Sequence, residues 1–129
     1  MPPDYLLLGH VTKDLLHQPP GYTAGGTALY SAITAQRLGL QVAIVTACAE
    51  EDDALLDRAR QAGIWVHRVP SPATTTFLNI YHPDGHRTQV ISAHAKPLDY
   101  SDIPGEWLDA PIVHLGPVAQ ELPASMPGV

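Results

Sequence analysis

Short apolar runs alternate with alanine-rich stretches between residues 4 and 69, and this alternation confines the chain to an α/β fold. Residues 4–9 read as a buried strand ended by Gly9, residues 41–48 as a second, and residues 64–69 as a third. Between them, residues 27–38 have helical spacing: Ala28, Ala32, Ala35 and Gly39 make one stripe of small residues, flanked by Leu29 and Ile33. Such a stripe lets a helix lie close to a sheet. Thr27 is placed to cap this helix, and Gly39 to end it in a left-handed conformation. A second helix is expected over residues 50–62. It has Glu50, Glu51, Asp52 and Asp53 at its positive end, Arg58 and Arg60 at its negative end, and Leu55, Ala59 and Ala62 facing inward. Strand, helix, strand, helix, strand with short links is the signature of right-handed crossovers over a parallel sheet.

The character then changes. Residues 74–82 and 87–93 are β-rich and are separated by the turn signal Pro83-Asp84-Gly85, which predicts an antiparallel hairpin. Thr76, Leu78 and Ile80 would face one way, and Thr75, Phe77, Asn79 and Tyr81 the other. Residues 10–26 carry the breakers Pro19-Pro20-Gly21 and Gly25-Gly26, with an extended piece around Thr12 to Leu16. Residues 112–116 read as one more parallel strand, followed by a proline-bearing stretch from Pro117 to Val129 without apolar periodicity. A parallel strand needs a covering crossover, and none follows. The expectation is one domain over 1–129, cut short of a larger fold.

Composition excludes several function classes. Thirteen acidic against seven basic residues give a net charge of −6, which leaves no basic patch to neutralise phosphates, so no nucleic-acid partner is expected. No apolar run approaches the length of a membrane span, and Met1-Pro2-Pro3-Asp4 lacks the basic head of a signal peptide. Cys48 is the only cysteine, which suits a reducing compartment; a cytoplasmic protein is expected, with Cys48 a small core residue. Of the seven histidines, most read as exposed polar side chains. His82 and His86 lie across a turn rather than on one helix face, so no metal site is expected.

The chemistry-bearing stretch is Gly9-His10-Val11-Thr12-Lys13-Asp14 followed by Gly25-Gly26-Thr27. An acid just past the first strand stands at the carboxyl end of the sheet, where open α/β folds bind ligands. A glycine pair at a helix start leaves backbone N–H groups open to a ligand oxygen. A carboxylate accepts two hydroxyl hydrogen bonds at once. Together these residues could grip a polyol or sugar. On spacing alone, Asp14 as a turn residue and Gly25-Gly26 as loop-shaping glycines is the favoured reading. His94 would join the cleft if the hairpin closes; Lys96 reads as a solvated side chain, with help to an anionic ligand as the alternative.

The run from Ala24 through Gly25-Gly26-Thr27-Ala28-Leu29-Tyr30-Ser31-Ala32 to Leu38-Gly39-Leu40 and Val42-Ala43-Ile44-Val45 resembles the N-terminal signature of the ribokinase (PfkB) family. The spacing Gly9-x4-Asp14 is similar to that family's first strand, and the likeness extends from Tyr5 to about Leu122. The resemblance implies an incomplete ribokinase-like fold: a parallel sheet with covering helices plus an antiparallel lid hairpin, with lid strands at roughly 10–24 and 74–93. It implies a sugar, nucleoside or polyol kinase that, at full length, moves the γ-phosphate of ATP to a substrate hydroxyl with Mg²⁺ bound. Asp14 would hold hydroxyls, Gly25, Gly26 and Thr27 would lie against the substrate, and Tyr30 would stand where the family usually has an asparagine. Tyr30, Ala28 and Gly116 depart from the family pattern and leave the substrate open. The family's Asp-x-x-Gly-Ala-Gly-Asp-type segment, which serves ATP and the catalytic base, is not among these residues, so the chain alone is expected to be inactive. A non-catalytic polyol-binding module, or a homodimer formed through the lid hairpin, is the alternative.

Overall fold

The computed structural model describes residues 1–16 and 21–126, so the breaker pair Pro19-Pro20 lies outside the described residues. The strands are β1 (Tyr5–Leu8), β2 (Thr12–Leu15), β3 (Tyr22–Gly25), β4 (Val42–Cys48), β5 (Trp65–Pro70), β6 (Thr76–Tyr81), β7 (Arg87–Ala93) and β8 (Ile112–Leu115). The α-helices are α1 (Thr27–Arg37) and α2 (Asp57–Gln61).

Two four-stranded sheets organise the chain. The first has the order β5-β4-β1-β8 with every pair parallel. Its central strands are buried on both faces, as continuous apolar runs require. Leu7, Val42 and Ile44 point into one core with Leu29 and Ile33 of α1, and with Leu55, Leu56 and Ala59. Leu6, Leu8, Ala43 and Val45 point into a second core with Val69, Leu98, Ile103 and Met126. Helices therefore cover the first face, whereas the chain beyond β7, with short 3-10 helices at Tyr100–Asp102 and Gly105–Asp109, covers the second. Ala28, Ala32 and Ala35 are all buried, so the stripe of small residues does seat α1 on the sheet. Among the described residues no strand pairs with the far edge of β8, where Ile112 and Val113 are exposed.

Two local expectations change. The α1 N-cap is Gly26, not Thr27, and no side chain among the described residues caps the helix. The chain enters at φ 97, ψ 151, a conformation almost confined to glycine, which fixes the boundary one residue earlier. Residues Glu50–Leu56 form a 3-10 helix before α2 begins at Asp57; side-chain periodicity does not separate the two over so short a stretch. Gly39 does end α1 with positive φ.

The second sheet has the order β3-β2-β6-β7. The expected hairpin is β6-β7, turned at residues 83–85, where Gly85 N–H donates to the His82 carbonyl and His86 N–H to the Asp84 carboxylate. β2 extends it by parallel pairing with β6, and β3 adds antiparallel to β2.

Asp52 links the sheets. Its carboxylate accepts from Thr74 at 2.7 Å and from Lys13 at 3.0 Å. Burial opposes its ionisation, but these hydrogen bonds and the lysine charge outweigh it and hold the carboxyl below the usual range. Its contribution to stability is therefore complete above about pH 4 and is lost as pH falls through the lower folded-state value. Asp52→Asn is expected to cost about 1 kcal/mol near neutrality and less in acid, as read by urea unfolding at two pH values.

Cys48 is fully buried, and burial pushes its thiol up to about 11, with Arg68 opposing and Asp53 and Asp52 adding. A thiol reagent at pH 8 should label the folded chain at least about a hundredfold more slowly than the urea-unfolded chain. Comparable rates would contradict the burial.

Candidate functional site

A cleft of about 470 Å³ opens between the carboxyl end of the parallel sheet and the inner face of the second sheet. Its volume is ample for a small ligand. Thr12, Asp14, Gly26 and Thr27 form one side, Phe77, Asn79, Tyr81, Arg87 and Gln89 the lid, and Pro117 and Val118 a further wall, with Tyr30 at the rim.

Strand alternation aims these side chains. In β2, Thr12 and Asp14 face the cleft, while Lys13 turns away to pair with Asp52 and lie 4.7 Å over the Tyr22 ring. Asp14 is in register with Phe77, Asn79 with Gln89, and Tyr81 with Arg87, so one face of the second sheet carries the whole row. This is the face that alternation in the sequence assigned to Phe77, Asn79 and Tyr81.

Asp14 is half-buried and accepts a hydrogen bond from Thr12 Oγ1 at 2.8 Å. Among the described residues no cation forms an ion pair with it. A Cβ built on Gly25 would collide with this carboxylate and stand 2.9 Å from its carbon. The acid and the glycine pair therefore do meet. Gly25 is buried beneath Asp14 and does not itself line the cleft, whereas Gly26, Thr27 and Tyr30 do. Among the described residues no side chain caps the first-turn N–H groups of α1, so the helix start can take a ligand oxygen. Across the cleft, Asn79 Oδ1 is buried without a hydrogen-bond partner among the described residues.

His94 is not in the cleft. It follows β7 with its neighbour Ala95 buried, and the alternation leaves His94 exposed. Lys96 is also exposed and contributes its backbone carbonyl, not its amine, to a buried contact with His10. His10 is fully buried, unlike the exposed histidines expected from the sequence. His82 and His86 stack at 5.4 Å, and among the described residues no cluster of His, Cys, Asp and Glu could hold a metal. Arg87, Gln89, Pro117 and Val118 were not singled out by the sequence. The tight turn at 83–85 places the first two opposite Tyr81 and Asn79, so the hairpin register was the signal that could have found them. Nothing local marks Pro117 and Val118.

No family model matches the chain. A cytidine kinase of Thermococcus kodakarensis is 30% identical over 128 residues, covering 92% of this chain and 45% of that protein. A pyrophosphate-dependent kinase in the ribokinase family, solved with a pyrophosphate analog and myo-inositol, superposes with TM-score 0.75 at 28% identity, over 96% of this chain and 44% of that one. The chain is similar in sequence and fold to kinases of the ribokinase family. Arabidopsis thaliana ribokinase, solved with ribose and ATP, shares the fold with TM-score 0.66 at 20% identity, over 98% of this chain and 48% of that one. The chain spans under half the length of these relatives. No helix of the described residues is long and apolar enough to cross a membrane.

Proposed function

We propose that this chain is the substrate-holding part of a small-molecule kinase whose cleft receives a sugar, nucleoside or polyol. The observation that carries this reading is the Asp14 carboxylate, pinned by Thr12 over the Gly25 backbone and turned, with no cationic partner among the described residues, into a cleft of ligand size. An ionised carboxylate so held accepts two hydroxyl groups. The start of α1 takes a further ligand oxygen, and Asn79 Oδ1 is an acceptor in want of a hydroxyl donor.

In the full-length form the reaction is transfer of the ATP γ-phosphate to one of those hydroxyls, and ATP with Mg²⁺ supplies the phosphoryl chemistry when bound. The described residues offer hydroxyl acceptors and one lid arginine, but no cluster of carboxylates for Mg²⁺. They do not fit ATP and Mg²⁺, which this reading assigns to other parts of the full-length form. The pyrophosphate-dependent neighbour at 28% identity makes pyrophosphate the second donor to test. The protein is assigned to the cytoplasm, in keeping with its single buried free thiol.

Calorimetric titration of the chain with myo-inositol, ribose and cytidine tests the reading. At least one should bind without ATP or pyrophosphate, and neither donor should be consumed. Failure of all three to bind would count against it, as would turnover of either donor.

A second reading is a dimer through the outer face of the lid, where Leu78 and Ile80 are half-buried and Val90 is 42% exposed. Ligand-independent dimers in analytical ultracentrifugation would favour it.

A further inference from the structure

Glu121 is a carboxylate buried to 3% exposure, in a stretch without regular secondary structure and outside the cleft lining. Its Oε1 accepts N–H bonds from Val118 at 2.9 Å and Ala119 at 2.8 Å. Its Oε2 accepts the backbone N–H of His10 at 2.8 Å. The carboxylate therefore staples the turn that carries Pro117 and Val118, a wall of the cleft, to the segment joining β1 to β2.

His10 carries the link onward. Its Nε2 lies 2.8 Å from the Lys96 carbonyl, which can only accept, so Nε2 bears the proton and Nδ1 accepts from Thr75 Oγ1 at 2.8 Å. Thr75 Oγ1 in turn accepts the N–H of Ala95 at 3.0 Å, and the Thr75 carbonyl accepts the N–H of Lys13 at 2.9 Å. Thr75 and Ala95 stand at the two feet of the lid hairpin, and Lys13 is in β2. One buried node thus touches both feet of the lid, the strand that bears Asp14, and the wall at Pro117 and Val118. A buried polar node of this kind is costly unless every member is satisfied, and here the carboxylate and both imidazole nitrogens are.

We propose that Glu121 is a positioning residue of the cleft: it fixes the wall at Pro117 and Val118 and, through His10 and Thr75, ties that wall to the base of the lid. The role in ligand binding rests on reading the cleft as a hydroxyl-binding site. The mechanical link does not.

The test is site-resolved amide exchange on the 129-residue chain and on Glu121→Ala and Glu121→Gln, with myo-inositol titration of each. In Glu121→Ala, exchange should quicken at least tenfold at Val118, Ala119 and His10. It should also quicken at the Ala95 and Lys13 amides, which donate to Thr75, while Ile44 and Val45 in β4 keep wild-type rates. Affinity for myo-inositol should fall about tenfold. Glu121→Gln keeps one acceptor oxygen, so it should recover protection either at Val118 and Ala119 or at His10, with intermediate affinity; if the alanine variant does not fold, the glutamine variant decides by the same pattern. Equal quickening everywhere, β4 included, would mean general loss of stability and overturn the proposal. Quickening confined to Val118 and Ala119 would overturn it too, because the lid would then not be tied in. If the wild-type chain binds no myo-inositol, the ligand reading fails for that polyol and the exchange pattern still decides the link.

Discussion

Gly26→Ala should lower the stability of the fold by about 3 kcal/mol, seen as a fall of roughly 10 °C or more in the thermal midpoint. Two separate costs add. The residue sits at φ 97, ψ 151, where a side chain strains the backbone. A Cβ there would also stand 2.7 Å from the His10 carbonyl oxygen, an atom of the backbone that cannot swing aside. Gly85→Ala is the control. Gly85 also has positive φ, but a Cβ would meet nothing within 4 Å, so only strain of about 1 kcal/mol is expected. Equal losses in the two variants, followed by circular dichroism, would show that the close approach of α1's first turn to the His10 segment is not real.

Asp14→Ala should weaken polyol binding by about a hundredfold, the loss of two hydrogen bonds to a charged acceptor, while the thermal midpoint stays within a few degrees. The carboxylate takes one hydrogen bond from Thr12 and no ion pair among the described residues, so the fold has little invested in it. Asp14→Asn should lie between, at about tenfold, because the amide oxygen still accepts while its nitrogen does not. Calorimetry of the three proteins checks both halves of this expectation. A binding loss that merely tracked a collapse in stability would make Asp14 a structural residue.

Much of this was legible in the residues, for reasons that differ from place to place. The stripe of Ala28, Ala32 and Ala35 declared both α1 and the face it buries, because helical period and small size are local properties. Asp14 was legible because an acid just past a buried strand has few places to be other than the carboxyl end of the sheet. The inner face of the lid followed from alternation through Phe77, Asn79 and Tyr81, once the turn at 83–85 fixed the hairpin. The family likeness placed lid strands at roughly 10–24 beside those at 74–93, and β2 and β3 stand there, but how they pair with the hairpin did not follow from the residues. β2 pairs in parallel with β6 some sixty residues away, and a four-residue strand without alternation carries no mark of its partner. His94 failed for a related reason: the reading required hairpin closure, whereas alternation beside the buried Ala95 leaves it in solvent. His10 and Glu121 were invisible as a pair because their bond joins residues 111 positions apart, and only tertiary packing makes a lone histidine and a lone glutamate into one node.

Burial disfavours protonation of His10 more than the Glu121 charge and the Lys96 carbonyl favour it, with His94 adding to the effect, so its pKa lies below the ordinary value. The unfolded chain therefore binds the proton more readily. Stability should be unaffected above about pH 6.5 and should decline as pH falls below it. Urea unfolding at pH 7.5 and pH 5.5 should show this decline, and a flat profile would put His10 elsewhere than in a buried node.

Backbone amide shifts of the chain titrated with myo-inositol, recorded for wild type and Asp14→Ala, bear most directly on whether acid, helix start and lid make one ligand site. Saturable shifts should gather at Asp14, Gly26, Thr27 and Asn79, and the alanine variant should lose them at the same polyol concentrations. Shifts scattered over other surfaces, or a pattern that survives in Asp14→Ala, would contradict the account.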